Sequence, residues 1–511
     1  LNNFGVQNKD QFLIFLGFSV FIILILSLSF KLFTTYIQLN FIEMREHSIG
    51  KRLIEGYLHQ PYSWFLSQHS SNMGKNILSE VQQIIANGLR PLIELISKSI
   101  VATAIIILLI LVDTKLSIFI GLTFISVYFT IFYFVRGYLN LNGEKRLKFN
   151  EIRFKVVNET FNATKEVKIG GLEETYIENF SNAAEIYGKT RASSQAISLL
   201  PRFILEAIAF GGILLIMLYM MTKSGNFNSA LPIISLYVFA GYRLMPALQQ
   251  IYSSFTSLTF ISPSLNKLKE GLKKLKINDN INYDNSILKF KKNITLKNVY
   301  YNYPNTSCAA LKNINICISA KSKVGIIGAT GSGKTTAIDI ILGLLEPYKG
   351  TLNVDGKIIT KQNVRSWQRL IGYVPQSIYL SDDTIAANIA FGVNSKYINK
   401  NRIEEVSRIA NFHKFVLEEL PNQYETKIGE RGVRLSGGQR QRIGIARALY
   451  HNPKLLIFDE ATNALDNETE KAVMEAINNI SKEITIILIA HRIHTLQNCD
   501  FILKIENGEI V

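Results

Sequence analysis

Cysteine is almost missing from this chain: three residues in 511, Cys308, Cys317 and Cys499, none in a CxxC arrangement and all in the C-terminal half. That excludes a disulfide-stapled secreted scaffold and a cysteine-built zinc site, and it predicts reduced core thiols in a cytosolic compartment. Acidic residues are in deficit too, 40 against 56 Lys and Arg, for a net charge of +16. A basic balance invites a nucleic-acid reading, but no basic helix face with interleaved aromatics and no zinc spacing accompanies it. An anionic membrane surface accounts for the charge better, so no nucleic-acid partner is expected.

What is present is unevenly distributed. The 48% hydrophobic content is near the soluble average, yet long apolar runs crowd residues 11–255 while the remainder mixes charged and apolar positions. Residues 11–30 carry no charge over twenty positions, enough to cross a bilayer. They lack the basic leader and small-residue cleavage site of a signal peptide. Similar runs lie near 92–112, 116–135, 199–221 and 230–256, giving five spans. Lys and Arg orient them: 41–91 carries Arg45, Lys51, Arg52, Lys75 and Arg90, and 141–198 carries nine basic residues. Both segments therefore face the cytoplasm. Five spans ending inside start outside, and with Leu1 in place of Met the expectation is a sixth, earlier span. The cytoplasmic segments keep helical apolar spacing and read as helices continuing out of the membrane. Breaks suited to short cross-helices fall around Gln68 to Asn76 and around Gly170 to Glu174.

The fold class expected is thus an all-α transmembrane domain over 1–280, followed by an α/β P-loop domain over 286–511 behind a polar Asn- and Lys-rich connector. Gly328-Ala329-Thr330-Gly331-Ser332-Gly333-Lys334-Thr335, with Thr336 after it, has the spacing of a phosphate-wrapping loop. Its glycines let successive N–H groups point inward, Lys334 can reach the β and γ phosphates, and Thr335 can ligate magnesium. Lys454 to Glu460 reads as an apolar strand ending in two carboxylates: Asp459 to hold magnesium and Glu460 to polarise the attacking water. Leu435-Ser436-Gly437-Gly438-Gln439 is a second glycine-rich turn opening a helix, readable either as a γ-phosphate grip or as a plain helix cap.

In this order these motifs resemble the nucleotide-binding domain of ATP-binding-cassette transporters, of the exporter type with transmembrane and nucleotide domains fused. The resemblance implies ATP and Mg2+ as cofactors and adds roles. Tyr303 matches the adenine-stacking aromatic, Gln376 the glutamine that senses magnesium and the γ phosphate, and His491 the switch histidine. Asn463-Ala464-Leu465-Asp466 follows the family's Ser-Ala-Leu-Asp loop with Asn463 in place of serine, and Gly429 to Gly432 is similar to the segment that contacts the cross-helices. It also implies a homodimer, each ATP held between the phosphate loop of one copy and the Leu435 to Gln439 segment of the other. With Glu460 and His491 both present, ATP hydrolysis is expected.

Two cations stand inside apolar spans, Arg202 and Arg243. Arg202 has Glu206 one turn on and reads equally as a helix pair; Arg243 has no acid within a turn and reads as facing a cavity and an anionic substrate group. The surrounding segments resemble bacterial lipid-linked oligosaccharide flippases. That implies a polyprenyl-pyrophosphate-linked oligosaccharide as cargo. A multidrug or lipid A exporter is the rival, and a soluble ATPase of the same superfamily a more distant one.

Overall fold

The computed structural model describes residues 9–112, 114–222, 227–275, 288–304, 306, 308–429, 432–460, 472, 475, 483–489 and 496–511. The chain divides into two compact units, one of 1–60 and 68–277, the other of 61–67 and 278–511.

In the first unit, α1 (Lys9–Leu58) ends before Pro61, and α2 (Tyr62–Phe65) is a four-residue helix assigned to the second unit. The chain resumes with α3 (Ser70–Lys75), a π-helical turn Asn76–Glu80, α4 (Val81–Ile84), a second π turn Ile85–Leu89, and α5 (Arg90–Val112). Then follow α6 (Thr114–Asn162), α7 (Thr164–Gly170), α8 (Glu173–Thr222) and α9 (Phe227–Lys274). Each expected span lies within one of α1, α5, α6, α8 and α9. Among the described residues, three helical stretches, Asp10–Leu58, Ser70–Leu111 and Gly121–Asn162, are long and apolar enough to cross a bilayer. On α1, Leu32 and Phe30 are 75% and 69% exposed, as a lipid-facing helix requires.

The first cross-helix break differs from expectation. Residues 70–76 are helical, and the chain turns instead between Leu58 and His69. Gln60-Pro61 explains it: proline lacks the N–H that would continue α1 and drives the residue before it out of the helical region. The second break lies where the glycines suggested, with Gly171 at φ 59° closing α7.

Beyond the apolar runs, the helices are pinned by a buried polar cluster. Arg146 is fully buried and pairs with Glu80 at 2.7 Å, while also donating to Ser264 Oγ. Asn150 donates to the other Glu80 oxygen at 2.8 Å. Alongside, Glu151 accepts from both Lys75 and Lys267, at 3.2 and 2.8 Å. The groups come from the first π turn, α3, α6 and α9, so the cluster ties three stretches of the helical unit together.

The second unit is built on two sheets. β1 (Asn293–Tyr301), β2 (Leu311–Ser319), β4 (Lys349–Val354) and β5 (Lys357–Ile358) form an antiparallel sheet in the order β2-β1-β4-β5. Around β3 (Lys323–Ile327) the second sheet runs β10-β9-β3-β8-β7-β6, with β6 (Ile371–Val374), β7 (Leu455–Asp459), β8 (Thr485–Ile489) and β9 (Phe501–Glu506) parallel to it in turn and β10 (Glu509–Ile510) antiparallel at the edge. β3, β7 and β8 are apolar apart from Lys323, Asp459 and Thr485 at their ends, and they are buried throughout except for the half-buried Ile327, as strands covered on both faces must be. α10 (Lys334–Ile341) follows the phosphate loop, and α11 (Val364–Gln368) closes beneath it: the fully buried Trp367 donates its indole N–H to the Ile341 carbonyl at 2.7 Å, satisfying a helix-end acceptor. A helical layer of α12 (Ile385–Ile389), α13 (Lys400–Ile409), α14 (His413–Glu419) and α15 (Gly437–Tyr450) shares an apolar core with Val374, Leu456, Phe458 and Leu488 of the second sheet.

Candidate functional site

The site starts from the end of β3. A strand delivers the chain at Ile327, and the backbone must then reverse tightly enough to start α10 seven residues later. Gly331 and Gly333 do this at φ 81° and 107°; a Cβ on Gly333 would lie 2.8 Å from the Ala310 carbonyl oxygen, so only glycine fits there. Lys334, almost wholly buried, folds its ammonium back onto the Gly328 and Ala329 carbonyls, both at 2.8 Å. Thr335 is exposed and Thr336 buried, and the Tyr303 and Thr336 hydroxyls share a hydrogen bond of 2.9 Å. That bond, together with an edge-on packing of Tyr303 against Tyr301, holds the aromatic beside the phosphate loop.

β7 and β6 bring the carboxylates to the same place. Asp459 ends β7, buried, and burial pushes its carboxyl up, while a hydrogen bond from the Tyr373 hydroxyl pulls the other way. Glu460 follows in the left-handed region at φ 51°, a backbone state a non-glycine residue adopts only when its surroundings enforce it. Its N–H donates to the Ile489 carbonyl of β8 at 3.1 Å, and its carboxylate accepts from Gln376 Nε2 at 2.8 Å. Gln376, Glu460 and Asp459 are therefore gathered within one neighbourhood of Lys334.

Leu435 is buried in the helical layer, and Ser436 begins α15 as a full capping box: its N–H donates to Gln439 Oε1 at 2.8 Å and its hydroxyl oxygen accepts from the Gln439 N–H at 3.2 Å. The helix-cap reading is the one the hydrogen bonds show, with Gly437 and Gly438 opening the helix behind Ser436. Asn463, Ala464, Leu465, Asp466, His491, Glu430 and Arg431 lie outside the described residues.

A family model described as ABC transporter matches residues 311–463, and another, ABC transporter transmembrane region, matches residues 1–246. The ATP-dependent lipid A-core flippase of Wigglesworthia glossinidia brevipalpis is 30% identical over 477 residues, covering 91% of this chain and 79% of its own. The chain belongs to the ABC transporters. A lipid A-core flippase of Saccharophagus degradans is 43% identical over 221 residues, and ABC transporter B family member 17 of Arabidopsis thaliana 42% over 224; the matches span only 37% and 18% of those two relatives' lengths. The structure of a bacterial Atm1-family ABC exporter with ATP bound superposes with a TM-score of 0.80 over 92% of this chain and 82% of its own, at 22% identity, which shows a common fold.

The donors in this ABC transporter suit a magnesium nucleotide. The Ser332 hydroxyl is buried in the phosphate loop with no hydrogen-bond partner among the described residues, an acceptor-seeking group of the kind a phosphate satisfies. Thr335, Gln376 and Asp459 offer only oxygen or amide donors, the set a hard divalent cation takes. Reasoning from motifs missed Asp339, on the first turns of α10. It is buried, and burial together with the charge of Asp459 raises its carboxyl to about 6. It also missed Tyr373 and Tyr62. Tyr62, on α2, has its phenol raised by burial and by the charges of Asp339 and Tyr303, which places it beside the same group. Pro61, which breaks the chain before α2, was a hint to Tyr62; no local signal pointed to Tyr373.

The two arginines of the helical unit part company. Arg202 donates through Nε to Glu206 at 2.7 Å, one turn along α8. Arg243 is exposed on α9 with no ion pair among the described residues. Its neighbour Leu244, with Tyr128, Phe132, Leu248 and Tyr252, lines a cavity of about 510 Å³ whose walls are almost wholly apolar. The cysteine expectation needs correction: Cys308 and Cys317 are exposed and Cys499 half-buried, all three free. Cys317 occupies an outward position of β2, where side chains alternate between core and solvent.

Proposed function

We propose that two copies of this chain form an ATP-hydrolysing membrane translocase that carries an anionic, lipid-linked substrate between leaflets. The observation that carries the proposal is the convergence of Lys334, Asp459, Glu460 and Gln376 beyond the carboxyl ends of the parallel strands β3, β7 and β6, in a chain whose other half is built of membrane-length helices.

Each group then has a task. The phosphate-loop amides and Lys334 hold the β and γ phosphates, the ammonium exchanging its two carbonyl partners for phosphate oxygens. Thr335, Gln376 and Asp459 are the residues that would hold magnesium, which would supply positive charge beside the transferred phosphate. Glu460 takes the proton of the attacking water, and its hydrogen bond from Gln376 keeps the carboxylate aimed. Tyr303 stacks on the adenine. Ser436, Gly437 and Gly438 of the second copy close over the γ phosphate, with Asn463 to Asp466 and His491 completing the pair of sites. Closure favours one arrangement of the membrane helices because ATP binds that arrangement more tightly.

The cargo proposed is a polyprenyl-pyrophosphate-linked oligosaccharide in the inner membrane of a bacterium: Arg243 offers a cation for the pyrophosphate while the prenyl chain stays in lipid. The flippase relatives favour a second reading, a lipid A-type glycolipid, which has the same phosphate-and-hydrocarbon chemistry. Reconstitution into liposomes with each lipid class in turn discriminates them. ATP-dependent loss of the labelled head group from one leaflet is expected with one class, and ATP turnover with neither lipid moving would overturn the reading.

A further inference from the structure

We propose that Tyr373 is a positioning residue for magnesium: its phenol fixes the carboxylate of Asp459 so that one oxygen alone is presented to the cation. The inference rests on the reading of Asp459 as the metal's carboxylate. Tyr373 lies on β6 directly opposite Ile457 of β7 in parallel register. Side chains two apart on a strand share a face, so Tyr373, Ile457 and Asp459 all project to the same side of the sheet, and the phenol reaches two residues along β7 from its own partner. Its hydroxyl donates to Asp459 Oδ2 at 3.1 Å.

That bond decides geometry. A terminal carboxylate turns easily about its last torsion, and Asp459 at the end of β7 has no following strand residue to confine it. With Oδ2 occupied by the phenol, Oδ1 remains for the cation or its water. The strand is itself held: a Cβ at Gly372 would fall 2.5 Å from the Ala448 carbonyl oxygen of α15, so β6 lies hard against that helix and cannot shift along β7. A phenylalanine at 373 would fill the same volume and lose only the donor. Outer-shell partners of metal ligands contribute through orientation, and their removal costs about tenfold or more in metal affinity.

The test uses the full-length chain in lipid nanodiscs with Mn2+ as the probe, its binding to the ATP-loaded protein read by electron paramagnetic resonance. Nucleotide affinity is read separately in EDTA with a fluorescent ATP analogue. Tyr373→Phe is expected to weaken Mn2+ binding about tenfold while the metal-free nucleotide affinity and the thermal midpoint stay within twofold and a few degrees. Unchanged Mn2+ affinity would overturn the proposal, as would an equal fall in metal-free nucleotide affinity, which would mark general damage. Asp459→Asn separates the two layers. If it weakens Mn2+ and Tyr373→Phe does not, only the positioning role falls; if Asp459→Asn also leaves Mn2+ binding intact, the underlying metal assignment falls with it.

Discussion

A single backbone angle separates Glu460 from its neighbour. Asp459 still belongs to β7, but Glu460 has turned to φ 51°, which points its carboxylate out of the strand toward Gln376. The turn is enforced by its N–H on β8, so the unfavourable conformation is held by the sheet. Glu460→Gln keeps the shape and removes the base, and is expected to lower ATP turnover by roughly 10²- to 10⁴-fold with nucleotide binding retained. Phosphate release beside a binding isotherm checks this, and wild-type turnover in the variant would remove Glu460 from its role. Asp339 offers a second test through pH. Its folded carboxyl is raised to about 6 against 3.8 without burial, so the folded protein holds this proton over a range where the unfolded chain has lost it. The stability it contributes is complete below pH 3.8 and is lost as pH rises through 6. Unfolding midpoints should fall across that window less steeply in Asp339→Asn than in the unaltered chain.

At the scale of elements, motif spacing made the framework of the candidate site legible because each motif is a local demand: a strand, a glycine turn and a helix start close together in the chain. β3, β7, α10 and α15 accordingly appear where the chain said they would. Tyr373 and Asp339 were not legible, since their importance comes from pairing between β6 and β7 and from helix burial, which no short window contains. The same holds for Arg146. In sequence it was one of nine basic residues read as facing the cytoplasm; in the fold it is fully buried against Glu80. Truncating one partner of such a pair strands the other's charge, so Arg146→Ala should destabilise the helical unit by about 3–5 kcal/mol. Replacing both Arg146 and Glu80 with apolar residues of similar size should recover much of that, measured as the thermal midpoint in detergent. A double variant as unstable as the single one would show that packing and not charge is at stake.

For the whole molecule, the distribution of apolar runs announced five long helices, and those helices are found. The tips were harder: the position of the first turn depends on Pro61, one residue, while apolar periodicity continues on both sides of it. Transport is tested at this scale as well. Arg243→Gln is expected to reduce lipid movement in liposomes at least tenfold and to abolish stimulation of ATP turnover by the transported lipid; undiminished movement would take Arg243 off the substrate's path. Arg202, already engaged by Glu206, should give a smaller effect.

One feature of the chain's partition bears on how it is made. Residues 61–67, with Tyr62 among them, fold with the nucleotide-binding unit although residues 68–277 of the helical unit separate them from the rest of it. These seven leave the ribosome early and must wait, unsheltered, through the insertion of four further helices before the surface that receives them has been synthesised. Expressing residues 288–511 alone would thus yield a domain lacking a segment that folds with it, and a peptide spanning Gln60 to Gln68 added during refolding should raise its thermal midpoint.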